Sequence, residues 1–78
     1  MTATTLAKLP VGASARVTDV KADPVLEQRL LEMGLIPGAS VTLIRIAPLG
    51  DPMEFRVMGY SLSLRRNEAA AVAIEVLP

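Results

Sequence analysis

Residues 40–65 read SVTLIRIAPLGDPMEFRVMGYSLSLR, and this stretch contains three predicted strands separated by chain-breaking residues. Val, Ile, Leu and Phe supply its apolar positions while Pro and Gly interrupt it, a combination typical of short β-strands joined by turns. The predicted strands are Ser40–Ile46, Met53–Met58 and Ser61–Arg65, with the segment Ala47–Pro52 and the pair Gly59–Tyr60 between them. In the last two strands apolar and polar side chains alternate, so each strand has one face for a core.

On the N-terminal side, the sequence predicts one further strand and a helix. Ala13–Val20 places small apolar residues on one face and polar residues on the other, as expected of a strand. The helix is predicted over Pro24–Met33, because the Asp23 side chain can accept the free first-turn amides and Pro24 loses no hydrogen bond at the first helical position. An apolar stripe at helical spacing is expected to face the core: Leu26, Leu30 and Met33.

Two glycines are predicted to shape the chain after this helix. Gly34 follows the last helical residue, where a left-handed backbone conformation often ends a helix. Pro37 and Gly38 together indicate a tight turn, since Pro presets the first corner and Gly supplies a positive φ at the second. The helix therefore leads directly into the strand that begins at Ser40.

The C-terminal segment completes a mainly β chain. Residues Arg66–Ala70 are predicted to form one helical turn, and apolar side chains alternate again from Val72 to Val76 in a closing strand. The total is five antiparallel strands with one short α-helix after the first strand. Five short strands leave few exposed edges when they curl into a barrel, so we expect a small SH3-like barrel forming a single domain over residues 1–78. An open sheet with the helix on one face is the alternative.

Composition limits the classes of function. Hydrophobic residues form 51% of the 78-residue chain, yet the longest uninterrupted apolar run, Ala69–Ile74, is far below the roughly 20 residues that cross a bilayer. No export signal is visible at the N-terminus, so we expect a cytoplasmic location without membrane insertion. Eight basic residues balance eight acidic ones, which favours a protein partner over nucleic acid. The high apolar fraction leaves room for weak self-association.

The chain lacks the residues of most active sites. It contains no His and no Cys, and therefore has neither the usual general base near neutral pH nor soft metal ligands. Its five glycines form no phosphate loop or dinucleotide fingerprint, and its carboxylates are not spaced as a cation loop. We expect no catalytic residue, no cofactor and no metal site. Four arginines could form a basic patch, but stacking aromatics are scarce: Arg45, Arg56, Arg65 and Arg66.

The connection between the first two strands of the quoted stretch is the part least explained by folding. Two prolines restrict it and Leu49 stands between them, although a hairpin needs no apolar residue at its end. We expect the Leu49 side chain to face water. A preordered loop binds at a lower entropic cost. We therefore predict a partner-binding segment, with an ordinary hairpin connection as the equal alternative, formed by Pro48, Leu49, Gly50, Asp51, Pro52 and Met53.

Two segments carry a family resemblance. RLLEMGLIPG at residues 29–38 and APLGDP at residues 47–52 resemble the FeoA family, and the similarity extends from about Leu6 to Val76. The resemblance implies an SH3-like barrel. Six positions are expected to maintain that structure and not to carry chemistry: Asp23, Arg29, Leu30, Gly34, Pro37 and Gly38.

The same resemblance implies a function. FeoA-like proteins act with the inner-membrane ferrous iron transporter FeoB, whose cytosolic portion hydrolyses GTP, so an accessory role by protein contact is expected. Two alternatives stay open: a metal-carrying or metal-sensing barrel, like the similar domain of diphtheria-toxin-repressor-type regulators, and a nucleic-acid-binding barrel. The lack of His and Cys argues against the first, and the balanced charge argues against the second.

Overall fold

The computed structural model describes residues 3–78 and contains six strands and two short helices. A 3₁₀ turn, Leu6–Lys8, follows the first strand. In chain order the elements are β1 (Ala3–Thr5), β2 (Ser14–Val20), α1 (Pro24–Glu32), β3 (Ser40–Ile46), β4 (Met53–Val57), β5 (Tyr60–Leu64), α2 (Arg66–Ala69) and β6 (Val72–Val76).

All six strands belong to one antiparallel sheet with the order β1-β6-β2-β3-β4-β5. The last strand of the chain, β6, therefore lies between the first two. The predicted count of five strands is wrong, because β1 pairs with β6 through Ala3 opposite Glu75 and Thr5 opposite Ala73. Three residues are too few to show an alternating pattern, and the helix consequently follows the second strand.

Helix α1 is closed at both ends by residues that the sequence identifies. The Asp23 carboxylate accepts hydrogen bonds from the amides of Val25 and Leu26, each at 3.1 Å. At the other end, Gly34 has φ +98°, its amide donates to the Leu31 carbonyl, and the next amide reaches back to the Leu30 carbonyl. This pair of bonds is the Schellman arrangement that a left-handed glycine permits. The predicted cap and helix end are confirmed.

The turn between β4 and β5 lies one residue earlier than predicted. Val57 pairs with Tyr60, so the two connecting residues are Met58 and Gly59. Both have positive φ, 50° and 88°, which is the type I′ geometry that matches the twist of a tight hairpin. Pro37 and Gly38 form the turn predicted for them, with Gly38 at φ +95° and the Ala39 amide bonded to the Ile36 carbonyl.

The core is built mostly from residues of the strands. Leu30 is the fully buried residue of α1, whereas the strands supply most of the remaining cluster. The mainly β architecture predicted from the sequence is confirmed, although the two edge strands, β1 and β5, do not pair with each other. The buried apolar residues are Leu6, Leu9, Ala15, Val17, Val20, Leu30, Leu35, Ala39, Val41, Leu43, Met53, Phe55, Val57, Leu64, Ala69, Val72 and Ile74.

Candidate functional site

The loop between β3 and β4, residues 47–52, projects an apolar side chain from the barrel. Two backbone hydrogen bonds close its base: the Ala47 amide donates to the Pro52 carbonyl at 3.0 Å, and the Gly50 amide donates to the Ala47 carbonyl at 2.8 Å. Leu49 lies at the end of the loop and is 97% exposed. We call residues 47–52 the tip loop. The predicted exposure of Leu49 is confirmed.

A single arginine from another part of the chain holds the tip loop. The Arg66 guanidinium donates to the Gly50 carbonyl from Nε and Nη2, at 3.2 and 3.0 Å, and to the Ala7 carbonyl from Nη1 at 2.9 Å. The backbone amide of Arg66 donates to Asp51 Oδ1 at 2.8 Å. The tip loop is thus fixed to the start of α2 and to the 3₁₀ turn after β1.

This arrangement changes the interpretation of two predicted partner residues. Met53 is fully buried as the first residue of β4, so its inclusion in the exposed segment is wrong. Its side chain points inward because strand alternation places it on the same face as Phe55 and Val57. Asp51 is exposed, but its carboxylate already accepts the Arg66 amide and helps to order the loop. Pro48 and Pro52 are exposed.

Arg29, predicted as part of the structural motif, connects the two helices. Its Nη2 atom lies 2.8 Å from Glu68 Oε2 in an ion pair whose arginine side chain is 55% exposed and whose glutamate side chain is 13% exposed. The other Glu68 oxygen accepts the Arg65 amide at 2.9 Å, at the start of α2. Through these two contacts, the Glu68 carboxylate links α1 to the start of α2.

A groove of about 290 Å³ opens next to this network. Its walls come from α1, the tip loop, β5 and α2, so no single stretch of sequence could have indicated it. Pro52 belongs to both the tip loop and the groove, which makes the two surfaces continuous. The lining residues are Arg29, Pro52, Ser63, Leu64, Arg65 and Glu68.

The other sites considered from the sequence do not assemble in residues 3–78. Arg45 Nε lies 2.9 Å from Glu54 Oε1 across β3 and β4, and the Arg66 guanidinium donates to the Gly50 carbonyl. The four arginines therefore do not form one basic patch. Within this range no three Asp or Glu side chains group together as a metal site would require. None of the described helices is long and apolar enough to cross a membrane.

Comparison with known proteins places this geometry in a family. A family model described as the FeoA domain matches residues 4–76. The Fe(2+) transport protein A/Fe(2+) transporter FeoB fusion protein of Porphyromonas gingivalis is 39% identical over 72 residues. That alignment covers 92% of this chain but 8% of the relative, so the chain corresponds to a small part of the fusion protein.

Two solved structures share both sequence and fold. The solution structure of the FeoA protein from Chlorobium tepidum is 42% identical with a TM-score of 0.88, covering 95% of this chain and 70% of that one. The zinc complex of FeoA from Stenotrophomonas maltophilia, described as a prokaryotic SH3 domain protein, is 32% identical with a TM-score of 0.81 and covers 91% and 88%. Because the FeoA domain spans nearly the whole sequence and these relatives agree in fold, the chain belongs to the FeoA family.

Proposed function

We propose that this protein is a cytosolic accessory component of ferrous iron uptake that acts by contact with the cytosolic region of a FeoB-type transporter, and not by catalysis. The observation that carries the proposal is Leu49, a large apolar side chain that is 97% exposed on a loop held in place by Arg66. The fusion of a related domain to FeoB in Porphyromonas gingivalis supports the choice of partner.

Leu49 is suited to binding because its conformation is already restricted. The closed base of the tip loop and the bonds to Gly50 and Asp51 fix the backbone before any partner arrives. Burying an exposed leucine side chain contributes about 1.5–3 kcal/mol, which corresponds to a change of about tenfold or more in affinity. A preordered loop loses less entropy on binding, so more of that gain appears as affinity.

The fusion suggests how a contact of modest affinity can be sufficient. When two modules share one chain, the second contact becomes intramolecular and the effective concentration reaches the millimolar range for short flexible linkers. In such a fusion, a contact of modest intrinsic affinity is enough to hold the two modules together. Burial of one exposed leucine side chain contributes a gain of that size.

The test is direct binding of the purified protein to the cytosolic region of the FeoB transporter. We expect Leu49→Ser to weaken binding by about tenfold while leaving the thermal midpoint nearly unchanged, because the side chain contacts little in the free protein. Met58→Ser is the matched control, since Met58 is 70% exposed at the opposite end of β4. Equal binding by wild type and Leu49→Ser would move the contact elsewhere, and no binding by the wild type would refute the proposal.

A further inference from the structure

Strand β5 forms one edge of the sheet, and its outer side is available. It pairs with β4 alone, through a register that places Tyr60 opposite Val57. In a hairpin with a two-residue turn the flanking residues form a hydrogen-bonded pair, and bonded and non-bonded pairs then alternate. Ser61, opposite Arg56, and Ser63, opposite Glu54, are therefore non-bonded pairs. Their backbone N–H and C=O groups point away from β4.

Nothing in residues 3–78 satisfies these outward groups. Ser61 and Ser63 make no loop or side-chain hydrogen bond within that range, and both residues are exposed. At the other edge of the sheet, β1 pairs with β6 and not with β5. Ser61 and Ser63 thus each present an unpaired N–H donor and C=O acceptor at the edge. An added β-strand offers complementary groups at the same spacing, on every second residue.

The charged residues around this edge indicate which charge the side chains of an added strand should carry. The two nearby glutamates already have cationic partners, Arg45 for Glu54 and Arg29 for Glu68. Arg56, whose position opposite Ser61 places it beside the edge, and Arg65, which lines the groove, are exposed and have no ion-pair partner among the described residues. Two arginines without an ion-pair partner therefore flank the edge, although the whole chain is neutral.

We propose that the outer edge of β5 binds an extended acidic segment of the partner protein by strand addition, with carboxylate side chains directed to Arg56 and Arg65. This inference rests on the proposed function for the identity of the partner, which is the cytosolic region of the FeoB transporter. Backbone bonds to Ser61 and Ser63 supply the pairing, and the groove beside Ser63 receives one side chain of the added strand.

The edge and the tip loop form one continuous surface. Pro52 ends the tip loop and lines the same groove as Ser63. A segment paired with β5 therefore reaches the tip loop at one end, where Leu49 is available for an apolar contact. The two contacts differ in chemistry: the edge recognises backbone and carboxylates, and the tip loop recognises apolar surface.

The backbone contribution is tested by Ser63→Pro. Proline removes the outward N–H but none of the bonds to β4, and proline is tolerated on an edge strand when its position faces solvent. Ser63→Thr is the matched control, because it keeps the N–H and favours a strand. We expect Ser63→Pro to weaken binding of the transporter's cytosolic region by about tenfold and Ser63→Thr to leave it within about twofold.

The charge contribution is tested by Arg65→Glu, compared with Arg16→Glu on the exposed face of β2. Both substitutions change the net charge equally. We expect Arg65→Glu to weaken binding more than Arg16→Glu and to reduce the dependence of affinity on salt, because a close attractive pair is replaced by repulsion. Equal effects of the two substitutions would show that only net charge matters, which overturns the acidic-segment proposal.

Amide hydrogen exchange of the wild type decides the proposal even if a variant fails to fold. In the free protein the Ser61 and Ser63 amides are expected to exchange rapidly, and in the complex they become protected. Unprotected amides in a formed complex overturn strand addition. If Leu49→Ser weakens binding and Ser63→Pro does not, the edge inference fails while the proposed function stands, whereas absence of wild-type binding removes the proposed function itself.

Discussion

Two loops lie at opposite ends of β4, and they are ordered in different ways. The two-residue turn of Met58 and Gly59 is specified locally, by positive φ at both residues. The tip loop is ordered by contacts with Arg66, which lies 16 residues from Gly50, and that arginine also binds Ala7, 59 residues away. Both loops expose an apolar side chain, but only the tip loop has its own backbone bonded by a distant side chain.

The largest expected effect is a loss of global stability, which would unfold both loops together. Leu30 is fully buried, so Leu30→Ala should reduce the free energy of unfolding by about 2–5 kcal/mol, out of about 4–12 kcal/mol for a chain of this size. Val25→Ala, in the same helix but 75% exposed, should cost less than about 0.5 kcal/mol. Denaturation followed at Leu49 and at Met58 should give one midpoint. Two separate midpoints would mean that the loops belong to independent units.

The next effect concerns Gly34, where the side chain of Tyr60, the residue after the Met58–Gly59 turn, packs against the end of α1. Gly34 has φ +98°, and a Cβ there would lie 2.5 Å from the hydroxyl oxygen of Tyr60, which donates to the Met33 carbonyl. Gly34→Val should therefore cost at least about 1–3 kcal/mol, from backbone strain and the displaced tyrosine. Calorimetry of the double variant Gly34→Ala/Tyr60→Phe separates the two causes, since Tyr60→Phe removes the hydroxyl that the new Cβ would meet. A thermal midpoint of the double variant equal to that of Tyr60→Phe alone would contradict the backbone argument.

A smaller change should distinguish the two loops. Arg66→Ala removes the three guanidinium bonds and should cost about 1–2 kcal/mol, reduced by the exposure of the side chain. Amide exchange should accelerate at Ala47 and Gly50, whose amides are bonded within the tip loop, but not at Val57 and Tyr60, which pair across the other turn. Arg66→Lys keeps the charge without the planar fork and should restore little of the order. Equal acceleration in both loops would show that Arg66 stabilises the barrel generally.

The smallest effect has the opposite sign. Met58 has φ 50°, an unfavourable value for methionine, and Gly59 follows it. Met58→Asn creates the Asn-Gly pair preferred in type I′ turns and should stabilise the protein by about 0.5–1 kcal/mol. The denaturant midpoint should rise with an unchanged slope. Binding to the transporter's cytosolic region should also stay unchanged, because Met58 belongs neither to the tip loop nor to the outer edge of β5. A loss of binding would show that the contact includes this turn.

The same distinction explains which features could be predicted from sequence. The Asp23 cap, the Gly34 helix end and the Pro37–Gly38 turn each depend on residues within a few positions, so local chemistry sufficed. Leu49 was predicted correctly as exposed because breakers surround it. The Arg66 bonds were missed since their partners are 15 to 59 residues away, and the same residue looked like ordinary surface charge.

The two remaining misses have similar causes. Strand β1 has three residues and becomes a strand only by pairing with β6, which no local pattern shows. Met53 was placed in the exposed segment because it follows the breakers directly, yet it begins β4 and shares the inward face of Phe55. The groove draws its walls from separate elements, so it exists only in the folded protein.

The position of β6 between β1 and β2 has a consequence for biosynthesis. The sheet cannot be completed until its last strand has left the ribosome, and pairings between distant parts of a chain form slowly because loop closure costs entropy first. Arg66 is also translated late, and its partners Ala7 and Gly50 must wait for it. A transporter that selects the ordered tip loop would therefore bind newly made protein only after folding is finished, so that incomplete chains do not compete for it.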